Sequence, residues 1–160
     1  MVFLMKDINL IEIAKEILPK TKVGYLATVD TNGFPQIRAI DNLRSPDRFS
    51  HAAQFLAEQD NSIDIYISTN TSSTKVKEMK ENSAVSIYFC LSDEFKGIMI
   101  QGFAEEITDL EFKKKIWCDG WEMFYPKGYS DPDFTIIRVQ PKSLKSWYQT
   151  NKHEMKLSEE

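Results

Sequence analysis

Residues 68–79 read STNTSSTKVKEM, and the rest of the chain is arranged around them. They follow an alternating apolar run, Ile63-Asp64-Ile65-Tyr66-Ile67, and precede a short helical pattern through Val76 and Met79. Between the two lie the hydroxyl side chains of Thr69, Thr71, Ser72, Ser73 and Thr74, together with Asn70 and Lys75. A strand that ends in such a loop and then opens a helix makes an anion site. The first helical turn carries backbone N–H groups without intrahelical partners and a partial positive charge. Ser and Thr placed there cap the helix or donate to a phosphate, and Lys75 adds a full charge. Local sequence leaves two readings open: a plain helix cap with its turn residues, or the phosphate end of a cofactor site. No Walker pattern and no Gly-x-Gly-x-x-Gly occurs in the chain, so the common nucleotide loops are excluded as motifs.

A chain of 160 residues, 42% hydrophobic and 28% charged, suits one globular domain with a genuine core. The net charge of -4 argues against a nucleic-acid surface, which is usually strongly basic. Cys90 and Cys118 stand far apart in no Cys-x-x-Cys pair, which points to free thiols in a reducing compartment. His51 and His153 are also far apart, and no metal site is expected. The apolar start, residues 1–5, is too short for a signal peptide core, and no apolar run approaches the ~20 residues of a membrane span. The expectation is a cytoplasmic protein with no membrane and no nucleic-acid partner.

Taken in order, residues 7–18 read as an amphipathic helix capped by Asp7 and ended by Pro19. Val23–Val29 is strand-like and leads into Asp30-Thr31-Asn32-Gly33, a hairpin signal whose turn calls for positive φ. The returning strand, residues 34–43, carries Gln36, Arg38 and Ile40 on one face and Ile37, Ala39 and Asp41 on the other. Arg38 is either an exposed arginine on a half-solvated sheet or a cation aimed at a phosphate. Residues 49–59 have a helical look, Asp60-Asn61-Ser62 is a turn, and residues 63–69 form the strand before the hydroxyl loop. A short helix covers residues 73–81. Residues 84–91 and 97–107 read as a strand pair, with Gly102 marking a bulge or a close backbone approach. Thr108-Asp109-Leu110-Glu111 has the form of a capping box for a helix to Trp117. Residues 118–133 are irregular and aromatic; Trp121, Phe124, Tyr125 and Tyr129 make either a cover for the core or a wall for a flat ligand. Residues 134–139 form a strand, Pro141 a break, residues 144–148 the last strand, and residues 149–160 a frayed polar tail. Strands joined mostly as hairpins, with helices between them, predict a mainly β single domain (residues 1–160): an N-terminal helix within 1–20, an antiparallel barrel over 21–148, and the tail.

The order of these pieces resembles the pyridoxamine 5'-phosphate oxidase-like FMN-binding split barrels, and especially their small general-stress-protein-26-like branch. The resemblance is carried by the Asn-Gly hairpin, Arg38 on the second strand, the strand into Ser-Thr-Asn-Thr-Ser-Ser-Thr-Lys, Gly102-Phe103-Ala104-Glu105-Glu106-Ile107, and residues 124–133. It implies a split β-barrel homodimer with FMN in a groove at the dimer interface. By position, Arg38 would meet the phosphate, Ala39 and Ile40 would run beside the flavin, and Ser68 and Thr69 would lie near the isoalloxazine edge with Asn70 following. Ser73, Thr74 and Lys75 would bind phosphate oxygens. Trp121 is assigned as a wall beside the ring. The chain departs from the oxidases in four places. Asp41-Asn42-Leu43 holds no lysine, the tail after Trp147 lacks the Arg-x-His-type segment, Thr74 stands for a phosphate-binding arginine, and Gly97 stands for a flavin-contacting glutamine. The implied function is therefore an FMN-dependent oxidoreductase that does not oxidise vitamin B6. Its electrons would come from a small donor such as NAD(P)H, with the flavin carrying the chemistry. The alternative is a non-catalytic module that holds flavin, deazaflavin or haem for sensing or storage.

Overall fold

The computed structural model describes residues 9–59 and 63–158. The chain runs α1 (Leu10–Ile17), β1 (Val23–Val29), β2 (Pro35–Asp41), α2 (Ser50–Gln59), β3 (Ile65–Asn70), α3 (Thr74–Glu81), β4 (Ala84–Leu91), β5 (Lys96–Ile107), α4 (Leu110–Ile116), β6 (Phe134–Tyr148) and β7 (Asn151–Lys156). All described strand pairs are antiparallel. The sheet order is β2-β1-β4-β5-β6-β3, with β7 also paired to β6. This is the expected mainly β split barrel with peripheral helices.

Local chemistry explains the hairpins. The Asp30 carboxylate accepts from the backbone N–H of Asn32 and of Phe34, each at 2.9 Å, and Gly33 takes φ +83°. Asn32 keeps a negative φ, so the turn needs one left-handed residue rather than a pair. The Gly102 bulge is also present. Gln101 pairs with Ser143 and Gly102 with Pro141, so Lys142 is the extra residue. A Cβ at Gly102 would lie 2.1 Å from the Gln140 carbonyl oxygen, which is why no side chain fits there.

Several boundaries differ from the sequence reading. Asn9 caps α1, its side chain accepting the Ile11 N–H at 3.0 Å; Asp7 and the 60–62 turn lie outside the described residues. Asp109, not Thr108, caps α4 through the N–H groups of Glu111 and Phe112. Pro141 does not break the last strand. It sits between the end of β3 pairing at Val139 and the start of β7 pairing at Ser143, so its missing N–H leaves no ladder bond unmade on that edge. Residues 151–156 of the tail are not frayed: they pair with β6 from Ser143 to Tyr148, the chain reversing at Gln149 with φ +56°.

Two apolar clusters hold these elements. In the first, Leu10, Ala14 and Ile17 of α1 and Val76 and Met79 of α3 pack on Leu26, Ile87, Phe89, Ile98 and Ile100 from the inner face of the sheet. In the second, Ala52 and Leu56 of α2 and Ile116 of α4 pack on Phe134 and Ile136 from the other face of β6. Residues 134–137 are therefore buried on both faces. Replacing Gly102 with Ala should force the β5–β6 crossing apart and lower stability by about 2 kcal/mol, read as a lower urea midpoint with an unchanged slope.

Candidate functional site

β2 and β3 lie at the two ends of the strand order and approach each other without pairing, which leaves a split in the barrel. Period-two alternation turns Arg38 inward from β2, on the face of Leu26 and Ile40, and turns Thr69 inward from β3. α3 starts just beyond β3 and closes the same end.

A polar network fills this space. The Arg38 guanidinium donates to the Gln36 carbonyl at 2.8 Å, to the Thr28 hydroxyl, and to the Glu78 carboxylate at 2.9 Å. The Thr28 hydroxyl also bonds the same Glu78 oxygen, and both residues are buried. Lys75 donates to the Thr69 hydroxyl at 2.8 Å. Burial lowers the Lys75 pKa, the neighbouring Arg38 charge pushes the same way, and Glu78 opposes them. Two cations thus face one buried carboxylate, and the local balance is positive. Among the described residues the Arg38 Nε–H and one Nη2 hydrogen have no acceptor, and Lys75 keeps donors free.

The hydroxyl loop is held from below. The Asp133 carboxylate accepts from the Asn70 amide at 2.7 Å and from the Ser72 N–H at 2.8 Å, and the Asp133 carbonyl accepts the Thr71 N–H at 2.8 Å. The Asn70 and Ser72 bonds hold the Asp133 carboxyl below the usual carboxylate range. Ser73 is the N-cap residue of α3 by backbone geometry, yet its side chain caps nothing, and its buried Oγ has no partner among the described residues. A buried hydroxyl at a helix N-terminus with no protein partner fits an anion oxygen.

The candidate residues therefore divide. Arg38, Thr69 and Lys75 come together, with Ser73 and Thr74 in the first turn of α3 beside them. Thr74 is exposed and Asn70 is tied to Asp133. Ile40 is buried in the first cluster, while Ala39 points to the outer face of the sheet. Ser68 alternates with Thr69 and points away from Arg38. Trp121 meets Phe49 and Trp117 edge-on, with ring centroids 6.0 and 5.7 Å apart, and Phe134 at 5.7 Å; it packs in the second cluster as a cover of the core. The reading from sequence missed Thr28, Glu78 and Asp133. Glu78 had a signal, since it adjoins Met79 on the buried side of α3.

A second feature lies on the outer face. A groove of about 570 Å³ is lined by Tyr88, Cys90, Phe95, Met99 and Trp147 among others. Tyr25, Ile37 and Phe103 share that outer face and are 46%, 71% and 55% exposed. Trp147 was legible only as a strand residue; its pairing with Gly97 is what brings it to Tyr88.

The comparisons with known proteins agree with the fold. The pyridoxamine 5'-phosphate oxidase family matches residues 10–148. A Clostridium acetobutylicum protein related to general stress protein 26 of B. subtilis shares 26% identity at TM-score 0.72, covering 92% of this chain and 94% of that one. General stress protein 26 from Bacillus anthracis shares the fold at 19% identity and TM-score 0.69, covering 94% of this chain and all of the other (100%). A haem-binding protein from Mycobacterium smegmatis shares the fold at 14% identity and TM-score 0.67, covering 95% of this chain and 60% of that one. No curated protein matches the sequence. Among the described residues no helix is long and apolar enough to cross a membrane, and no cluster of His, Cys, Asp and Glu could hold a metal ion.

Removing the Glu78 carboxylate leaves Arg38 without its buried counter-charge. Glu78→Ala should cost about 3 kcal/mol, the lower end for a broken buried pair because Arg38 is partly exposed, measured by chemical denaturation.

Proposed function

The chain belongs to the pyridoxamine 5'-phosphate oxidase family, and on that premise we propose that it binds FMN and serves as a flavin-dependent oxidoreductase other than a vitamin B6 oxidase. The observation that carries the reading is the anion-binding cluster in the split: Arg38 and Lys75 with free donors, beside a buried Ser73 hydroxyl that lacks a partner among the described residues. A phosphate monoester supplies the acceptors that these groups lack. Arg38 and Lys75 would hold the phosphate, and Glu78 with Thr28 would fix the guanidinium that meets it. When bound, FMN supplies the electron chemistry, and the chain's residues supply position and polarity. Neither Arg38 nor Lys75 serves as a proton carrier in this reading; both are charge partners. The absence of a lysine in Asp41-Asn42-Leu43 argues against a second phosphate site for the vitamer.

The reading also calls for a homodimer. The anion cluster faces inward at the split, whereas the groove with Trp147 opens on the outer face of the same sheet. One flavin can meet both only if two chains contribute. The exposed Tyr25, Ile37 and Phe103 offer the apolar surface for such pairing. A haem reading draws on a different observation, the sulfur atoms of Cys90 and Met99 in the groove, which are of the kind that ligates haem iron.

The test is a titration of the purified chain with FMN and with riboflavin, followed by absorbance and flavin fluorescence. The wild-type chain should bind FMN more tightly than riboflavin. The double change Arg38→Ala with Lys75→Ala should weaken FMN by about 100-fold and leave riboflavin nearly unchanged. FMN affinity that survives the double change overturns the phosphate site, and a Soret band on adding haemin with no flavin binding favours the haem reading. Light scattering at micromolar concentration should give twice the chain mass.

A further inference from the structure

The outer-face groove contains one feature that its apolar walls do not explain. Gly97 lies on β5 between Cys90 of β4 and Trp147 of β6. A Cβ at Gly97 would meet the Tyr88 hydroxyl oxygen at 2.1 Å, Cζ at 2.6 Å and Cε2 at 2.9 Å. The phenol of Tyr88 therefore lies over the Gly97 backbone, in the space that a side chain at 97 would take. Trp147 fixes it there from the side, edge-to-face with centroids 5.8 Å apart and planes at 85°. Gly97 thus has a packing reason, and Tyr88 has a defined position.

The polar groups around the groove are few. The Lys96 ammonium is turned away, held by Glu16 at 2.8 Å and Glu94 at 3.0 Å and placed over the Tyr148 ring. Ser92 and Gln149 stand at the exposed end. Tyr88 is half-buried, its hydroxyl lies over the backbone of Gly97 beside Trp147, and that hydroxyl has no hydrogen-bond partner among the described residues. Burial, reinforced by Cys90, raises its pKa, so it remains a protonated donor at neutral pH. An aromatic wall beside a fixed donor recognises a planar ring with a carbonyl or ring-nitrogen acceptor at its edge.

We propose that Tyr88 is a binding residue of the groove, its hydroxyl donating to the acceptor edge of a planar heteroaromatic ring that lies against Trp147. The inference rests on the flavin reading above, and it names the group on this chain that reads the ring rather than the phosphate. It also assigns the consequence of the glycine at 97. Where no side chain stands at that position, the phenol from the neighbouring strand supplies the polar atom.

The experiment uses the full chain and titrates wild type, Tyr88→Phe and Gly97→Ala with FMN, riboflavin and lumichrome, with thermal unfolding as the check on folding. Tyr88→Phe keeps the ring and its contact with Trp147 and removes only the donor. It should weaken FMN, riboflavin and lumichrome alike, by about 5- to 10-fold, with an unchanged melting temperature. This uniform loss separates it from the phosphate variants, which affect FMN alone. Gly97→Ala drives the phenol out of its seat and should weaken the same three ligands. A second variant pair guards against a trivial packing effect: Tyr88→Ala should bind poorly, and adding Gly97→Gln should restore part of the affinity by placing an amide in the vacated space. Wild-type binding of FMN with no change in Tyr88→Phe overturns the role of Tyr88 and leaves the flavin reading standing. Failure of wild type to bind any of the three ligands overturns both.

Discussion

The hydrogen-bonding capacity of β6 sets the layout of the whole molecule. One edge of this 15-residue strand pairs with β5 along nearly all its length. The other edge is shared, first by β3 up to Val139 and then by β7 from Ser143. Between the two pairings the strand must change direction, and it does so at Pro141 against the bulge at Gly102. Proline removes a donor where neither neighbour asks for one, and glycine admits the Gln140 carbonyl where a side chain would block it. β3, paired with the first half of β6, approaches β2 without pairing with it. The split, and hence the position of the hydroxyl loop at the end of β3, follows from where that crossing falls.

Electrostatics inside the split then decide what can enter it. Arg38 and Lys75 are partly buried, and Arg38 lies close enough to disfavour the charge on Lys75, which is costly unless an anion is near. Glu78 provides one such charge from α3 and Thr28 anchors it. A single carboxylate does not balance two cations, and it reaches only one side of the guanidinium. The remaining donors, and the Ser73 hydroxyl, are preorganised by strand and helix rather than by a flexible loop. Asp133 extends that order by holding Asn70 and Ser72 from the far side.

Much of this was legible before any coordinates. Period-two alternation with the Asp30–Gly33 turn gave β1 and β2 and placed Arg38 opposite Ala39, and the hydroxyl run before Val76 gave the strand-to-helix junction. What escaped was tertiary. Asn151-Lys152-His153-Glu154-Met155-Lys156 has too little apolar content to read as a strand, and it becomes one because β6 offers an open edge. Pro141 reads as a break because its neighbours in space are invisible in sequence. Glu78 looks like a solvated helix residue until Thr28 and Arg38, 50 and 40 residues away, are seen to meet it. Trp121, the least constrained assignment, stands in an aromatic loop whose role as a cover depends on Phe49 and Phe134 lying beneath it.

The two candidate chemistries are separated by the thickness of a sheet. Arg38 shares its face with Leu26 and Ile40, and Tyr88 shares the opposite face with Tyr25 and Met99. Side chains on opposite faces of one strand pair cannot grip a single planar ligand, because the backbone lies between them. Joining them within one chain would require a ligand to pass through β1 and β4. Joining them between two chains requires only that the outer face of one meet the split of the other. The same outer face carries the exposed Ile37 and Phe103, so in the proposed dimer the apolar surface that would be covered and the groove that would meet the partner's anion-binding cluster coincide. That coincidence makes the pairing of chains and the binding of the ligand a single structural proposal. A change that weakens pairing should weaken the ligand, and the ligand should in turn favour the pair.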